Sequence, residues 1–502
     1  MIYFVNSLII SKLTVLHLKN KNMLRIKSTK VFSETNSFFT STEKGIFRIM
    51  ELYRSLNLHR LQLGQQETPQ STFRKGDLLL GLLLFPIYSI PNVYNYSRHR
   101  LHKTLEAHKN TFYRFKNDCR INWRSVVSKC NKALFAQIEE ASNECDETVR
   151  CLIIDDTDFE KSTYKTEHIS KIWSHVKHSR IFGFKGLFLG VWDGKSFFSL
   201  DFSLHKEKGK NKKKPFGLTA KQRKKQFSKK REKGSCGARR EKELQSDKIT
   251  MAIEMVKKAV GKGVKADYLL MDSWFFCEAI LTSTLSLGIS IVAMAKMAKA
   301  KYRFKDKDYS AKELAQLLKQ RKRVKWIKAL SLYCAEVEVE YKGNPLKLFF
   351  CKTSKRGKWH LLVSTNTKLG ILKAYQIYST RWSIEVFFKE SKNYFGLGKS
   401  QSRDFDAQIS DISVAMIEYN VFSMAKRFES YETIGGLFAH TTDQAMELNI
   451  SLRIWGFILE LLRTIADLID GDFNELIINI IKNKPEDNKI FRLIESQLPE
   501  AA

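Results

Sequence analysis

Tyr378, Arg381, Glu385 and Lys392 stand at Y-x2-R-x3-E-x6-K spacing. On a helix that spacing is a face: Arg381, Glu385 and Lys392 fall within roughly 40° of one another and Tyr378 about 60° from Arg381. One carboxylate is then ringed by two cations and a phenol. A carboxylate holds a divalent metal, while Arg and Lys bind phosphate oxygens, so the face suits metal-assisted chemistry on a phosphodiester. The plain alternative is a solvated helix face on which Arg381 and Glu385 form an i,i+4 ion pair.

Two further acidic sites weigh against that alternative. Arg150-Cys-Leu-Ile-Ile-Asp155-Asp156-Thr157 reads as a short apolar strand ending in paired carboxylates, and Tyr268-Leu-Leu-Met-Asp272-Ser-Trp-Phe repeats the design. Carboxylates at the carboxyl ends of neighbouring strands in an α/β sheet stand where ligands bind. The surrounding order is strand, strand, strand, helix, strand, helix, strand. Gly186–Trp192 and Ser196–Leu204 are joined by the turn Asp193-Gly194. Lys242–Val260 carries Ile249, Ile253, Val256 and Val260 at helical spacing, and a helix from about Phe275 leads to the strand at Gly288-Ile-Ser-Ile-Val-Ala. This order predicts an α/β fold of the ribonuclease-H-like (retroviral-integrase) type, with the first strand beside the fourth so that Asp156 and Asp272 meet.

Together, Asp155-Asp156-Thr157, Leu270-Met271-Asp272-Ser273 and the Y-R-E-K residues resemble the DDE transposases of the insertion sequence 4 family, over about Arg150 to Asn420. The resemblance implies a catalytic and metal-binding triad of Asp156, Asp272 and Glu385. Asp155 competes for the first position, and Asp156 is preferred because it directly precedes Thr157. Tyr378, Arg381 and Lys392 would grip phosphates near the scissile bond. The implied activity is cleavage and rejoining of DNA at element ends, through a hairpin intermediate. Oxygen-only ligands favour two Mg²⁺ ions, with Mn²⁺ able to substitute.

The interval from Asp272 to Glu385 exceeds what one helix and one strand need, so an insertion is expected between about Lys299 and Lys358. Ala335–Tyr341 alternates cleanly, and Leu346–Cys351 and His360–Ser364 read as further strands. The resemblance implies a β-rich insertion, sometimes bearing a Trp that stacks on a flipped base. Trp326 and Trp359 are the candidates for that role, against the ordinary reading of a core Trp.

The chain carries 86 Lys and Arg against 53 Asp and Glu, a formal charge of +33. Such an excess is an electrostatic footprint for nucleic acid. Charge alone also fits a ribosome-associated protein; beside this triad it points to double-stranded DNA. The densest run, Lys206–Lys233, holds Lys212, Lys213, Lys214, Lys224 and Lys225, which are expected to contact the DNA backbone without reading sequence. Eight cysteines with no C-x2-C pair suggest neither a zinc site nor a disulfide framework, and so a cytoplasmic, nucleoid-associated protein. His175 and His178 lack partners at metal-ligand spacing and read as DNA contacts or surface. No phosphate-cradling Gly-rich loop supports ATP-driven chemistry.

The expected organisation is a leader over 1–40, with Met23 a second candidate start, and a helical DNA-binding region over 41–145. A catalytic core spans 146–298 and 363–425, interrupted by the β-rich insertion at 299–362, and a helical region covers 426–502. Tyr94–Arg120 is the candidate for reading element ends, and Asp77–Tyr88, broken by Pro86, is a buried helix rather than a membrane span. The pattern Ile454, Phe457, Ile458, Leu461, Leu462, Ile465 predicts an amphipathic helix, and a dimer is expected when two ends are synapsed on DNA. The alternatives are a DNA-binding relic or regulator without catalysis, and a metal-dependent endonuclease without strand transfer.

Overall fold

The structure, a computed structural model, describes residues 44–64, 72–103, 105–141, 148–298, 300–428, 432–443, 464–465 and 468–469. The expected leader with Met23, and the segment Ile454–Leu462, lie outside the described residues. The chain divides into two compact units, one of Met1–Glu51, Leu84–Lys109 and Tyr431–Ala502, the other of Leu52–Leu83 and Asn110–Ser430.

The helices in chain order are α1 (Lys44–Ser55), α2 (Lys75–Leu84), α3 (Val93–Tyr96), α4 (Lys109–Lys116), α5 (Trp123–Ala141), α6 (Ala220–Lys224), α7 (Cys236–Glu243), α8 (Lys248–Gly261), α9 (Glu278–Leu285), α10 (Ala311–Gln320), α11 (Ile371–Ser379), α12 (Trp382–Tyr394) and α13 (Phe405–Phe428). The strands are β1 (Cys151–Glu160), β2 (Ser170–Ser174), β3 (Ser179–Trp192), β4 (Phe197–His205), β5 (Tyr268–Met271), β6 (Ser290–Ala295), β7 (Lys301–Phe304), β8 (Lys307–Ser310), β9 (Lys325–Ile327), β10 (Leu332–Tyr341), β11 (Asn344–Lys352) and β12 (His360–Ser364). No described helix is long and apolar enough to cross a membrane. In the smaller unit, Tyr96 stacks on Phe85 at 5.2 Å and meets His102 edge-on at 5.4 Å.

All twelve strands join one mixed sheet in the second unit, ordered β2-β3-β1-β5-β6-β12-β11-β10-β7-β8, with β4 on β3 and β9 on β10. β1 runs antiparallel to β3 and parallel to β5, and β5 runs parallel to β6. The Asp193-Gly194 turn joins β3 to β4: Gly194 takes φ 101°, and the Asp193 carboxylate accepts from the Lys195 and Ser196 amides at 3.0 and 2.8 Å. The strands after β6 form no separate sheet, because β12 pairs antiparallel with β6 and carries β11 and β10 with it.

Three local details differ from the sequence expectation. β1 does not end at its carboxylates; it runs on to Glu160, held by the long β3, while its ladder with β5 stops at Ile153↔Leu270. The helix expected over Lys242–Val260 is two helices. Asp247 caps the second by accepting from the Thr250 amide at 2.9 Å, which ends one helical run and starts another. β2 gave no strand signal, since five residues of mixed polarity pair only with the start of β3.

Aromatic packing fixes α12 over the sheet. Ile384, Phe387 and Phe388 are buried at helical spacing. Phe388 meets Phe188 of β3 at 5.4 Å, and Phe387 meets Phe188 at 5.5 Å and Tyr419 of α13 at 4.8 Å. Helix α13 is buried from Phe405 to Ala425 except at Asp411, the pattern of a helix inside a core. Its Asn420 side chain satisfies the amide of Ser199 on β4 at 2.8 Å and donates to Asn131 of α5 at 2.7 Å.

Candidate functional site

The site lies where β1 loses β5 as its neighbour. Asp155 and Asp272 each stand two residues beyond the last paired rung, Ile153↔Leu270, so the register puts them level. Successive strand residues point to opposite faces, which separates Asp155 from Asp156. Asp155 faces α12: Arg381 Nη1 donates to its Oδ2 at 2.7 Å. The same guanidinium donates through Nη2 to Glu385, and lies 5.8 Å from the centre of the Tyr378 ring. Further along β1, Lys392 Nζ donates to Thr157 Oγ1 at 2.6 Å and to the Asp158 carbonyl at 3.2 Å. Asp156 is held from α8 instead, with Lys248 Nζ 2.5 Å from its Oδ2.

Asp272 is shaped by its own turn. Its Oδ1 accepts from the amides of Trp274 at 2.9 Å and Phe275 at 3.3 Å. Lys248 Nζ sits 3.9 Å over the half-exposed Trp274 ring, so one lysine links the Asp156 side of the strand to the loop after Asp272. Beside Asp272, Ser273, Met294, Trp359, His360 and Tyr378 line a cavity of about 330 Å³.

Burial pushes Asp155 up to about 7; Arg381 and the Asp156 amide oppose the shift, and the Asp156 and Asp272 carboxylates add to it. Burial likewise pushes Tyr378 up to about 12, opposed by Arg381 and increased by Asp272 and Asp155. Burial disfavours the Arg381 cation, yet Tyr378, Asp155 and Glu385 raise its pKa. Burial lowers Lys392, with Asp158 opposing and Lys185 adding. Asp155, Asp272, Tyr378, Arg381 and Glu385 therefore form one electrostatic neighbourhood rich in carboxylates.

The donor chemistry fits a hard divalent cation, since Asp155, Asp156, Asp272 and Glu385 offer only oxygens. Cations of the chain itself hold three of them, Arg381 on Asp155 and Glu385 and Lys248 on Asp156. Among the described residues no three acidic, His or Cys side chains stand close enough together to hold a metal ion.

The four signature residues do not share one helix. Tyr378 lies at the end of α11, and Arg381 stands at the N-terminus of α12. Between them the Ser379 and Thr380 hydroxyls donate back to the Gln376 and Ile377 carbonyls at 2.6 and 2.8 Å, a local competitor of the helical ladder. Arg381 gathers Tyr378 and Glu385, whereas Lys392 is joined to β1 at Thr157 and Asp158.

Lys212, Lys213, Lys214, Lys224 and Lys225 all stand exposed on the loop between β4 and α7, where Thr219 and Gln222 form a capping box for α6. The loop is pinned at its far end. Arg231 is buried against Glu167 at 2.6 Å and Asp406 at 3.1 Å, and Lys229 bonds Asp406 at 2.8 Å and Asp404 at 3.1 Å. Trp326 is half-exposed against Tyr333 at 4.7 Å, and Trp359 lies 4.6 Å under Lys352 Nζ. Among the described residues no cysteine is disulfide-bonded, although Cys334 and Cys351 face each other across β10 and β11 with their sulfurs 3.5 Å apart. Lys248 was not legible as a site residue: it contacts an acid 92 residues away, and its only local signal is its place directly after the Asp247 cap.

The family model described as DDE superfamily endonuclease matches residues 67–329, just over half of the chain. The matched span contains Asp155, Asp156 and Asp272 and stops before Arg381, Glu385 and Lys392. A search of curated proteins found no match.

Proposed function

Since the chain belongs to the DDE superfamily endonucleases, we propose that it is a transposase that cuts DNA at the ends of a mobile element and rejoins it. The observation that carries this reading is the Arg381 bridge to Glu385 on α12 from Asp155, the β1 carboxylate that stands just past the β1–β5 pairing and level with Asp272 at the end of β5. The sheet order β4-β3-β1-β5-β6, with β1 and β5 parallel, supports a ribonuclease-H-like core. Carboxylates past the ends of its parallel strands are suitably positioned for ligand binding.

With Arg381 and Lys248 released from them and the carboxylates drawn together, Asp272, Glu385 and one carboxylate of the Asp155-Asp156 pair would hold two divalent ions, Mg²⁺ or Mn²⁺. Asp155 is favoured by register and by Arg381, Asp156 by the resemblance. When bound, the ions supply activation of the attacking water or 3′-hydroxyl and stabilisation of the leaving oxygen. The protein's own groups do the rest. Arg381 orients two carboxylates, and on DNA its guanidinium fork would exchange them for phosphate oxygens. Lys392 is positioned along β1 to hold a phosphate further along the strand, and the Tyr378 hydroxyl, kept protonated by burial, would donate a hydrogen bond there. A hairpin intermediate and strand transfer belong to the same reading. A metal-dependent endonuclease without strand transfer would use the same site.

Arg381→Ala and Lys392→Ala are expected to slow steps after the first nick more than they weaken metal loading. A charge-assisted contact contributes about 1.5 to 3 kcal/mol, so each should cost roughly ten- to a hundred-fold in rate. A gel separating nicked, hairpin and fully cleaved products of a DNA end checks this. Accumulated nicked DNA supports the phosphate-holding role; parental rates for every product would leave Lys392 a structural brace on Thr157. Products that are only cleaved, with none joined to a target, would favour the endonuclease reading.

A further inference from the structure

We propose that the ribbon formed by β2 and the start of β3 enters the minor groove of duplex DNA and inserts Val176, at its tip, as an apolar wedge between base pairs. This rests on the DNA-cleaving reading above and adds a second contact surface to it. β2 and β3 pair from Ser170↔Gly183 to Ser174↔Ser179, leaving His175–His178 as the connecting loop, with His178 in the left-handed region at φ 49°. The period of two sorts the strand: Ser170, Ile172 and Ser174 are buried, whereas Trp173 points out and Lys171 is half-buried. Across the ladder Trp173 is level with Arg180, and Lys171 with Phe182, with Lys171 Nζ 5.2 Å from the Phe182 ring. One face of the ribbon thus alternates cation and aromatic.

At the tip Val176 is 89% exposed, and His175, Lys177, His178, Ser179 and Arg180 around it are exposed as well. A single exposed valine is ordinary on a protein surface. Here it stands at the end of a projecting ribbon, ringed by groups that carry or can take positive charge, and the neighbouring acid Glu160 is already bound by Lys177 at 2.5 Å. That combination matches DNA: cations meet phosphates on either side of a groove while an apolar side chain enters a base step.

The ribbon is also braced, as a wedge must be. Lys185 Nζ donates to the Trp173 carbonyl at 2.7 Å, and Glu207 accepts from the Trp173 amide at 3.0 Å. The basic run lies along it. At Gly217, φ 69°, a Cβ would come within 2.7 Å of the Lys171 Cβ, so the backbone of the run packs directly on β2. The lysine-rich loop thus meets the ribbon at Lys171, on the strand whose tip carries Val176.

The test uses the full chain and a short linear duplex with a dye at each end and 2-aminopurine at a central TA step, which unstacks easily. The native protein should bend this duplex by at least about 20° and raise the 2-aminopurine fluorescence. Val176→Ser, at a side chain that stands almost wholly in solvent, should keep its melting temperature and bind within about tenfold of native, yet abolish most of the bend and the fluorescence rise. Lys177→Ala should lower the salt dependence of binding and keep the bend. If Val176→Ser bends and unstacks the duplex as native does, or native binds without bending, the wedge is overturned and the DNA-cleaving reading stands. If native shows no salt-dependent binding to duplex at all, that reading falls and the wedge with it.

Discussion

Asp272→Asn and Glu385→Gln are each expected to abolish metal-dependent cleavage of a DNA end while leaving the fold and DNA binding in place. The amides keep the size of the acids and remove the charge that would hold a divalent ion. Removing one neutral hydrogen-bond donor to a transition state costs about 10²–10³ in rate; removing a metal-holding charge should exceed that, so cleavage should fall by more than about a thousand-fold. Asp272→Asn keeps the carbonyl oxygen that accepts from the Trp274 and Phe275 amides, so its turn can persist. Glu385→Gln leaves Arg381 its bond to Asp155. The first position is decided by a pair. Activity abolished in Asp155→Asn and kept in Asp156→Asn would assign it to the residue level with Asp272; the reverse would assign it to the residue that precedes Thr157. The measurement is single-turnover cleavage in Mg²⁺ and in Mn²⁺ beside a binding assay. Native-like cleavage in Asp272→Asn or in Glu385→Gln would remove the triad.

Neutralising Lys212, Lys213, Lys214, Lys224 and Lys225 together is expected to weaken binding to every DNA sequence alike. A lysine that no longer neutralises a phosphate releases no counterion there, which reduces the slope of log affinity against log salt by about 0.9. If all five lysines touch the backbone, the slope should flatten by about four to five. These side chains are exposed, so the substitution should not unfold the loop. Arg231 provides the contrast. It is buried against Glu167 and Asp406, and its removal would strand buried acids at a cost of about 3 to 5 kcal/mol in stability. Titrations over a salt series on two unrelated duplexes, with thermal melting of each variant, separate the two effects. An unchanged slope for the five-lysine variant would mean that the run is only solvated. Weakening confined to one duplex would mean that it reads bases.

Local chemistry wrote part of this molecule directly into the chain. An apolar run followed by an acid, as at Leu152–Asp155 and Leu269–Asp272, marks a buried strand with a carboxylate just past its parallel pairing, although β1 itself runs on to Glu160. Asp193-Gly194 marks a hairpin, because only glycine takes the φ that its second position needs without strain. The clean alternation of Ala335–Tyr341 marks a strand with one wet face. The resemblance carried by Asp155-Asp156-Thr157, Asp272-Ser273 and the Tyr378, Arg381, Glu385 and Lys392 spacing pointed to the DDE endonuclease class, and the family match over residues 67–329 shows that class.

Other features were decided only by the tertiary structure, for one physical reason: they depend on which distant group covers each side of an element. Asp155 and Asp156 differ locally by one step of a period-two strand; that α12 covers one face and α8 the other is set by packing of Phe387, Phe388 and Tyr419 and by the Asp247 cap. At the break between α11 and α12 the backbone tightens to i−3 bonds, Thr380 to Ile377, Arg381 to Tyr378 and Ser383 to Thr380, a local change that helical periodicity does not register. Lys248, the bracing of the β2–β3 ribbon and the burial of Arg231 within an otherwise exposed basic run each join residues far apart in sequence. Periodicity in the chain reports which side chains avoid water. It carries no information on which partner they meet, and at this site the partners determine which carboxylate faces which cation.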